Sequence, residues 1–371
     1  MINSWGVYPG SDGVVWADST ARAFWTPRFT GSRSLALATH YAKHRRCGLW
    51  RNALKAVVFD GHLRFEQDRP EPRPGEGECL VRVRLAGICA TDLHIIRGYM
   101  NFTGVLGHEM VGTVVSGSSA WQDQRVVCEI NCVCGRCEMC GRGLANHCPM
   151  RTVIGIDGRD GCFADFVAVP ERNLHRVPDV LSDEEAVFVE PLAAAYQVLA
   201  QCRIDRRANV SVVGSGRLGV LMAQVLATTG CNLTVIGRNR KKLLMCEKKG
   251  IQGIHGDEVL PRNDRDFVVE CSGSPSGLDL AMQLVRPRGT IVLKSTFAGA
   301  ESPNLAPVVV NEVRLLGSRC GPFPEAINAL ARQAVEVRSM ISRTFPIERA
   351  VEAVEACSDP DNMKILLSIG R

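Results

Sequence analysis

The residues with the clearest capacity for chemistry lie in two nearby segments. Cys89-Ala-Thr-Asp-Leu-His94 follows a strand-like apolar pattern, and Gly107-His-Glu109 comes a short way after it. A thiolate and an imidazole are ligands that zinc accepts readily, and a catalytic zinc keeps one coordination position open. Cys89 and His108 are therefore candidate ligands. A third protein ligand is needed, which Glu109 or Glu190 could supply.

A second metal-ligand pattern follows in Cys134-x2-Cys137-x2-Cys140-x7-Cys148. Four thiolates at these spacings predict a closed tetrahedral zinc held in a loop, with a structural role. Cys132 offers a competing first ligand. The chain has 16 cysteines, and their clustering in a long chain indicates metal binding in a reducing compartment more than a disulfide framework.

Gly214-Ser-Gly-Arg-Leu-Gly219 lies behind the apolar run 210–213 and opens the apolar segment 218–226. In such a strand-turn-helix, the first glycine permits the tight turn, the second lets a pyrophosphate approach the backbone, and the third allows close packing of helix and strand. The helix N-terminus then offers free N–H groups to the phosphates. This turn, with Arg217 and Leu218 inside it, predicts a dinucleotide-binding site.

The tip of the following strand bears on the choice of cofactor. A site that selects NAD places an acidic residue about 20 residues after the glycines. This chain instead has Arg238, Arg240 and two lysines there. An arginine can pair with a 2′-phosphate, so the sequence favours NADP over NAD. Cys271 and Lys294 each follow a later apolar strand, and we expect them to line the cofactor site.

Length and pattern divide the 371 residues into at least two domains. Short strands broken by Gly and Pro fill residues 55 to about 180, which favours a small β-barrel or sandwich. After residue 210, strands alternate with helical segments, which predicts parallel crossovers. The pattern therefore predicts an α/β chain in which a β-barrel or sandwich precedes a doubly wound parallel sheet.

Charge and hydropathy exclude some functions. Residues 1–54 carry seven basic and two acidic side chains, so they account for the whole net charge of +5 and leave the remainder neutral. A nucleic-acid footprint on the folded part is therefore not expected. No apolar run reaches the ~18–20 residues that a membrane span needs. The acid-poor leader 1–54 predicts either an organelle transit peptide or an unstructured extension, so we expect a cytoplasmic or an organellar protein.

From about residue 55 onward, the sequence resembles the zinc-containing branch of the medium-chain dehydrogenase/reductase family. The two metal motifs, Glu190-Pro-Leu192 and the glycine turn occur in the family's order. The resemblance implies a GroES-like catalytic domain over 55–185, a Rossmann domain over 186–320 and a return to the catalytic domain over 321–371. It also implies a cleft between the domains that holds zinc.

By position in these motifs, the resemblance implies that Cys89 and His108 bind zinc. Glu190 occupies the place of a Cys or carboxylate ligand, and Glu109 resembles a carboxylate that binds zinc in some members. Asp92 would orient His108 by a hydrogen bond. Thr91 and His94 resemble a proton relay to solvent. The family spacing favours Cys134 over Cys132 as the first ligand of the structural zinc.

The implied function is zinc-dependent, NAD(P)-linked interconversion of an alcohol and its carbonyl. Zinc acts as a Lewis acid that lowers the pKa of a bound alcohol, and the nicotinamide accepts hydride. The Glu-Pro-Leu form resembles the polyol, threonine and sugar dehydrogenase branches. Two alternatives are a zinc-free quinone or enone reductase and a non-catalytic, zinc-stabilised nucleotide-binding protein. We also expect a homo-oligomer with a small-molecule substrate.

Overall fold

The computed structural model describes residues 53–296 and 303–370. The first strand begins at Ala53, two residues before the predicted start at Lys55. The predicted extension, up to residue 52, lies outside the described residues. The described residues all belong to one compact unit. No helix in the described ranges is long and apolar enough to cross a membrane.

The first half of the described chain is rich in strands. These are β1 Ala53–Phe59, β2 Leu63–Pro70, β3 Glu78–Gly87, β4 Gly104–Val105, β5 Glu109–Ser116, β6 Arg125–Cys128, β7 Asn131–Cys132, β8 Thr152–Ile154, β9 Gly158–Arg159, β10 Phe166–Pro170 and β11 Leu174–Arg176. The later strands are β12 Asn209–Val213, β13 Asn232–Gly237, β14 Gln252–His255, β15 Arg265–Glu270, β16 Val285–Leu293, β17 Arg314–Gly317, β18 Ile341–Pro346 and β19 Lys364–Ser368.

The α-helices before residue 189 have seven residues or fewer, and most of those after it are longer. They are α1 Ala90–Ile96, α2 Glu138–Gly141, α3 Asp183–Ala186, α4 Val189–Gln201, α5 Arg217–Ala227, α6 Arg240–Glu247, α7 Pro275–Leu284, α8 Ala306–Val310, α9 Phe323–Ala331 and α10 Ala350–Ala356. Single 3-10 turns connect several of them.

The strands up to β11 and the last two strands form the GroES-like part. Its main sheet runs β11-β6-β5-β3-β19-β18, with β10 paired to β3. A second sheet, β2-β1-β4, contacts the segment before β10, where the Val57 N–H donates to the Phe163 carbonyl over 2.8 Å. Alternate buried residues of β3 and β5 point into one apolar core with β1. The predicted barrel is confirmed, and β19 shows that the chain returns to it after the second sheet.

The second part is a parallel sheet in the order β14-β13-β12-β15-β16-β17. This is the doubly wound dinucleotide-binding order, with the topological switch beside β12. Apolar runs such as Val210–Val213 are buried because helices cover both faces. The predicted Rossmann sheet is confirmed. Its edge strands β14 and β17, and strand β18 of the barrel, were not predicted because their residues are mostly exposed or mixed in polarity.

Two helices lead from the barrel into the parallel sheet. These are α3 and α4, which are separated by a break at residues 187–188. Ser182 caps α3 in a capping box with Glu185, whose backbone N–H donates to the Ser182 hydroxyl over 3.3 Å. The break gives α4 its own N-terminus, one residue before Glu190.

The turn between β12 and α5 depends on an unusually close backbone approach. A Cβ atom at Gly219 would lie 1.8 Å from the Gly214 carbonyl oxygen, and Gly214 itself has φ +110°. Gly216, in contrast, has φ −73° and open space where its Cβ would be. The first and third glycines are therefore required by packing, whereas the second is not.

We predict that Gly219→Ala lowers the free energy of unfolding by about 1–3 kcal/mol, because the added methyl group overpacks the turn. Urea denaturation of the variant measures this. Gly216→Ala is the matched control, for which we expect a loss below about 1 kcal/mol. Equal losses in the two variants would contradict the packing argument.

Candidate active site

Cys89 stands at the N-cap of α1, directly after the strand that ends at Gly87. Its backbone N–H donates a 2.8 Å hydrogen bond to Oδ2 of Asp92, the residue three positions into the helix. Asp92 is completely buried. The spacing Cys-x-x-Asp thus closes the helix start and fixes where the Cys89 thiol lies.

His108 is placed by the residue before it. Gly107 has φ +94°, and a Cβ atom there would lie 2.2 Å from the Phe163 ring. Only glycine fits this position. The backbone turns sharply at Gly107, which brings the buried side chains of His108 and Glu109 to the same side as Cys89.

Asp92 also faces the predicted histidine ligand. Its Oδ1 lies 3.3 Å from Nδ1 of His108, which leaves Nε2 of the ring to face the cluster. Burial lowers the pKa of His108, but the neighbouring Asp92 and Cys89 raise it, and the net shift is well upward. Among the described residues, neither Asp92 Oδ1 nor His108 Nδ1 has a well-aligned hydrogen-bond partner. The His108 ring therefore lies in a strongly negative environment that suits a cation.

The ligand atoms of Cys89, His108 and Glu109 all lie within 4.8 Å of one another. Glu109 is nearly inaccessible and makes an ion pair with Lys364, a lysine in β19 that is also buried. The ammonium of Lys364 donates a further hydrogen bond, 3.2 Å long, to the Ile88 carbonyl. One oxygen of Glu109 is thus occupied by Lys364, and the other remains for the cluster.

Glu190 lies in the first turn of α4 and is not part of that three-residue group. Burial raises its pKa to about 7, and its electrostatic neighbours include His108, Glu109, Lys364 and Lys294. Glu190 is therefore a carboxyl group beside the cluster that can hold or release a proton near neutral pH.

Thr91 and His94 lie on α1 next to the cluster. The Thr91 hydroxyl is 3.7 Å from the Cys89 thiol, and the edge of the His94 ring faces Tyr99, with ring centroids 6.4 Å apart. Burial lowers the pKa of His94, and nearby Arg97 lowers it further. Both side chains are partly exposed.

The four-cysteine loop is compact. The Sγ–Sγ distances are 3.5 Å for Cys137–Cys140, 3.8 Å for Cys137–Cys148 and 3.6 Å for Cys134–Cys148. Sulfur atoms around a tetrahedral zinc with bonds of about 2.3 Å lie about 3.8 Å apart, so the geometry fits that ion. Cys132 is not part of this group; it is buried in β7, and burial raises its pKa to about 11.

The glycine turn lies at the carboxyl end of β12, as predicted. A Cβ atom at Gly214 would meet the backbone of Cys271 and Ser272 at 2.8 Å, so Cys271 packs directly on the turn. Arg217, the first residue of α5, donates a 3.1 Å hydrogen bond to the Ile88 carbonyl. The start of this helix is thereby joined to the strand that leads to Cys89. Leu218 packs against the apolar core below.

The basic side chains after β13 differ in whether they form ion pairs. Arg240 pairs with Glu258, and Lys241 pairs with Asp361. The Asn239 side chain caps α6 by accepting from the Lys242 N–H over 3.2 Å. The guanidinium of Arg238 is exposed and has no ion-pair partner among the described residues. Of the two arginines predicted to select the cofactor, Arg238 is thus the one free to bind an anion.

Lys294 follows β16 and contacts protein acceptors. Its ammonium donates to the Ala194 carbonyl at 2.7 Å, the Arg319 carbonyl at 2.9 Å and the Ser318 hydroxyl at 3.3 Å. Burial lowers its pKa to about 8. Cys320 lies near it and accepts from the Asn131 amide at 3.2 Å.

Sequence reasoning missed Lys364, Ser318 and Cys320. A signal for Lys364 was present, since it is the single charge in the apolar run 363–367. Such a charge in a buried strand requires a buried partner. Ser318 and Cys320 come after the weak edge strand β17, and no local pattern marks them.

Two family models match the chain. The alcohol dehydrogenase GroES-like domain matches residues 75–179, and the zinc-binding dehydrogenase model matches residues 218–335. A sorbitol dehydrogenase of Halalkalibacterium halodurans is 28% identical over 331 residues, which cover 83% of this chain and 96% of that protein.

Similar solved structures are also dehydrogenases. A zinc-binding dehydrogenase from Sinorhizobium meliloti bound to NADP is 28% identical with a TM-score of 0.78, covering 86% of this chain and 100% of that one. An Escherichia coli alcohol dehydrogenase (rspB) complexed with NADH is 26% identical with a TM-score of 0.78, covering 85% and 99%. This chain therefore belongs to the zinc-containing medium-chain dehydrogenase/reductase family and is a zinc-dependent, NAD(P)-linked oxidoreductase that interconverts an alcohol and its carbonyl.

Proposed function

We propose that the enzyme oxidises a polyol or sugar-type alcohol, or reduces the matching ketone, with Cys89, His108 and Glu109 as zinc ligands and Glu190 beside them. The observation that carries this is the convergence of the first three ligand atoms within 4.8 Å in a buried site. A Cys, His and Glu donor set fits zinc in a catalytic site with an open position. The named relatives include sorbitol and D-arabitol-phosphate dehydrogenases, which supports the substrate class.

Glu109 is favoured over Glu190 as the third ligand by position. Lys364 binds one oxygen of Glu109 and so fixes the carboxylate without neutralising its second oxygen. Glu190 approaches from the other domain, on α4, and its pKa near 7 suits a group that exchanges protons. We assign Glu190 to orienting whatever occupies the open position.

The chemistry follows from these positions. Bound zinc supplies a Lewis acid that lowers the pKa of the substrate hydroxyl, and a nicotinamide supplies the hydride acceptor. Asp92 Oδ1 lies 3.3 Å from His108 Nδ1 and so favours the tautomer that carries its proton on Nδ1 and presents Nε2. The hydroxyl of Thr91 accepts the substrate proton and passes it toward His94. The lowered pKa of His94 keeps the imidazole neutral and able to accept that proton.

The four-cysteine loop is proposed as a second, structural zinc site. Two alternative functions fit the two metal sites less well. A zinc-free reductase requires neither site, and a non-catalytic nucleotide-binding protein does not require a catalytic site with an open coordination position. Metal counting with a screen of polyols, sugars and secondary alcohols tests the proposed function. An enzyme that contains two zinc ions per chain but oxidises none of these with either cofactor would refute it.

For cofactor choice we propose NADP. Arg238 is exposed, unpaired among the described residues, and follows β13, where a ribose hydroxyl or 2′-phosphate would lie. The relatives themselves differ, since one solved structure holds NADP and another NADH. The contacts of the basic tip in this chain are therefore the better guide.

The zinc ligands can be separated by metal analysis. Wild type should bind two zinc ions per chain, and Glu109→Gln should bind one. Because that change leaves Lys364 buried without a partner, the double variant Glu109→Gln/Lys364→Met removes both charges and should also bind one. Glu190→Gln should keep two zinc ions while kcat falls roughly 10–100-fold. Full zinc content in the double variant would show that Glu109 is not a ligand.

The proposed proton relay through Thr91 and His94 is tested by substitutions of Thr91. We expect Thr91→Val to lower kcat roughly 100-fold, the scale of a lost general acid–base step. Its zinc content should be unchanged. Thr91→Ser keeps the hydroxyl and should retain most activity. Full turnover in the valine variant would exclude Thr91 from proton transfer.

The cofactor proposal predicts that wild type has a higher kcat/KM with NADP+ than with NAD+. Arg238→Ala should lower kcat/KM for NADP+ by about 10-fold or more and leave that for NAD+ nearly unchanged, because a charge-assisted hydrogen bond contributes ~1.5–3 kcal/mol. Arg240→Ala is the matched control, and its effect should be smaller because Glu258 already binds Arg240. A preference of wild type for NAD+ would contradict the assignment.

A further inference from the structure

Lys294 is a partly buried cation whose three donors are all directed at neutral acceptors. They are the carbonyl of Ala194 on α4, the carbonyl of Arg319 and the hydroxyl of Ser318. Within the part of the chain that the structure describes, no carboxylate lies within ion-pair distance of its ammonium. The charge of Lys294 is thus held in place without being directly neutralised.

The surroundings of Lys294 do not supply a counter-charge at close range. Burial raises the pKa of Cys271 to about 12 and also raises that of Cys320, so both neighbouring thiols are neutral. Although burial lowers the pKa of Lys294 to about 8, its ammonium remains mostly protonated at pH 7. The carboxyl group of Glu190 interacts electrostatically with Lys294. Glu190 lies on α4, one helical turn before Ala194.

The topology places this cation at one end of the dinucleotide cleft. The glycine turn follows β12 at the middle of the sheet, and the basic tip follows β13 on one side of it. Cys271 follows β15 and Lys294 follows β16, on the other side. A dinucleotide lies across the carboxyl ends of these strands with its pyrophosphate on the turn. If the adenosine half extends toward β13, the nicotinamide half extends toward Lys294 and Glu190.

The two redox forms of the cofactor differ in charge at that end. The oxidised nicotinamide ring is a cation, whereas the reduced ring is neutral. A fixed cation in a site of reduced polarity opposes a second cation and leaves a neutral ring unaffected. We infer that Lys294 sets the relative affinity for the two redox forms, so that the enzyme binds the reduced cofactor in preference to the oxidised one.

This inference rests on the proposed function, since it requires a nicotinamide in the cleft. An effect of the Lys294 charge can be distinguished from a purely structural role of its hydrogen bonds. Lys294 links β16 to α4 and to the segment 318–320, and a Cβ atom at Gly321 would lie 1.9 Å from the Ala193 carbonyl, so the segment packs directly on the helix. If the only role of Lys294 were to hold these segments together, its loss would weaken the binding of both redox forms of the cofactor equally.

The test is equilibrium binding of NADP+, NADPH, NAD+ and NADH to the zinc-loaded protein by titration calorimetry. The quantity of interest is the ratio of Kd for the oxidised form to Kd for the reduced form. For Lys294→Met we expect this ratio to fall about tenfold, the scale of one Coulomb interaction across a few ångströms of partly screened protein. Lys294→Gln, which keeps two donors but no charge, should show the same fall. Lys294→Arg, which keeps the charge, should keep the ratio.

Ser318→Ala is the matched control, because it removes one acceptor and leaves the cation. It should leave the ratio unchanged even if both affinities decrease. An unchanged ratio in both Lys294→Met and Lys294→Gln, while wild type binds cofactor, would overturn this inference alone. If wild type bound none of the four nucleotides, the proposed function would fall and the inference with it. Thermal unfolding identifies a variant that does not fold, and the glutamine and arginine variants then decide.

Discussion

The candidate site depends on one buried carboxylate that serves two segments at once. Oδ2 of Asp92 accepts from the Cys89 backbone N–H, while Oδ1 faces Nδ1 of His108. The first contact fixes the start of α1 and with it the backbone of Cys89, and the second places a carboxylate beside the imidazole. Their convergence is therefore a consequence of a helix cap, the same interaction that ends strands and begins helices elsewhere in proteins.

Around this carboxylate, the protein buries several charges. Each isolated charge would cost several kcal/mol to remove from water. Glu109 is paired with Lys364 directly, whereas Glu190 relies on His108 and on lysines farther away. Burial raises the pKa of Glu190 to about 7, and the nearby His108 and lysines offset only part of that effect. A carboxylate that is fully paired is a fixed element, and one that is incompletely compensated can change its protonation state during turnover.

Sequence analysis predicted the structural features that are encoded in short local patterns. The glycine turn, the buried strands β3, β5 and β12 and the four-cysteine loop all carry their geometry in short spacings. Lys364 lies 255 residues from Glu109, and β19 reaches β5 through β3 only after the chain has built a second sheet. Such a contact has no local signature. The same reason hid Ser318, which Lys294 links to α4, and Cys320, which contacts Asn131.

Arg238 and Lys294, the two cations proposed to act on the cofactor, lie in different surroundings. Arg238 is exposed at the tip of β13, where it is solvated and can be reached by a phosphate from solution. Lys294 is partly buried after β16 and is held by three neutral oxygens. Screening by water and salt weakens a charge at the surface, but acts much less on one inside the protein. An exposed arginine is therefore suited to binding an anion reversibly, whereas an enclosed ammonium acts on a small change of charge beside it.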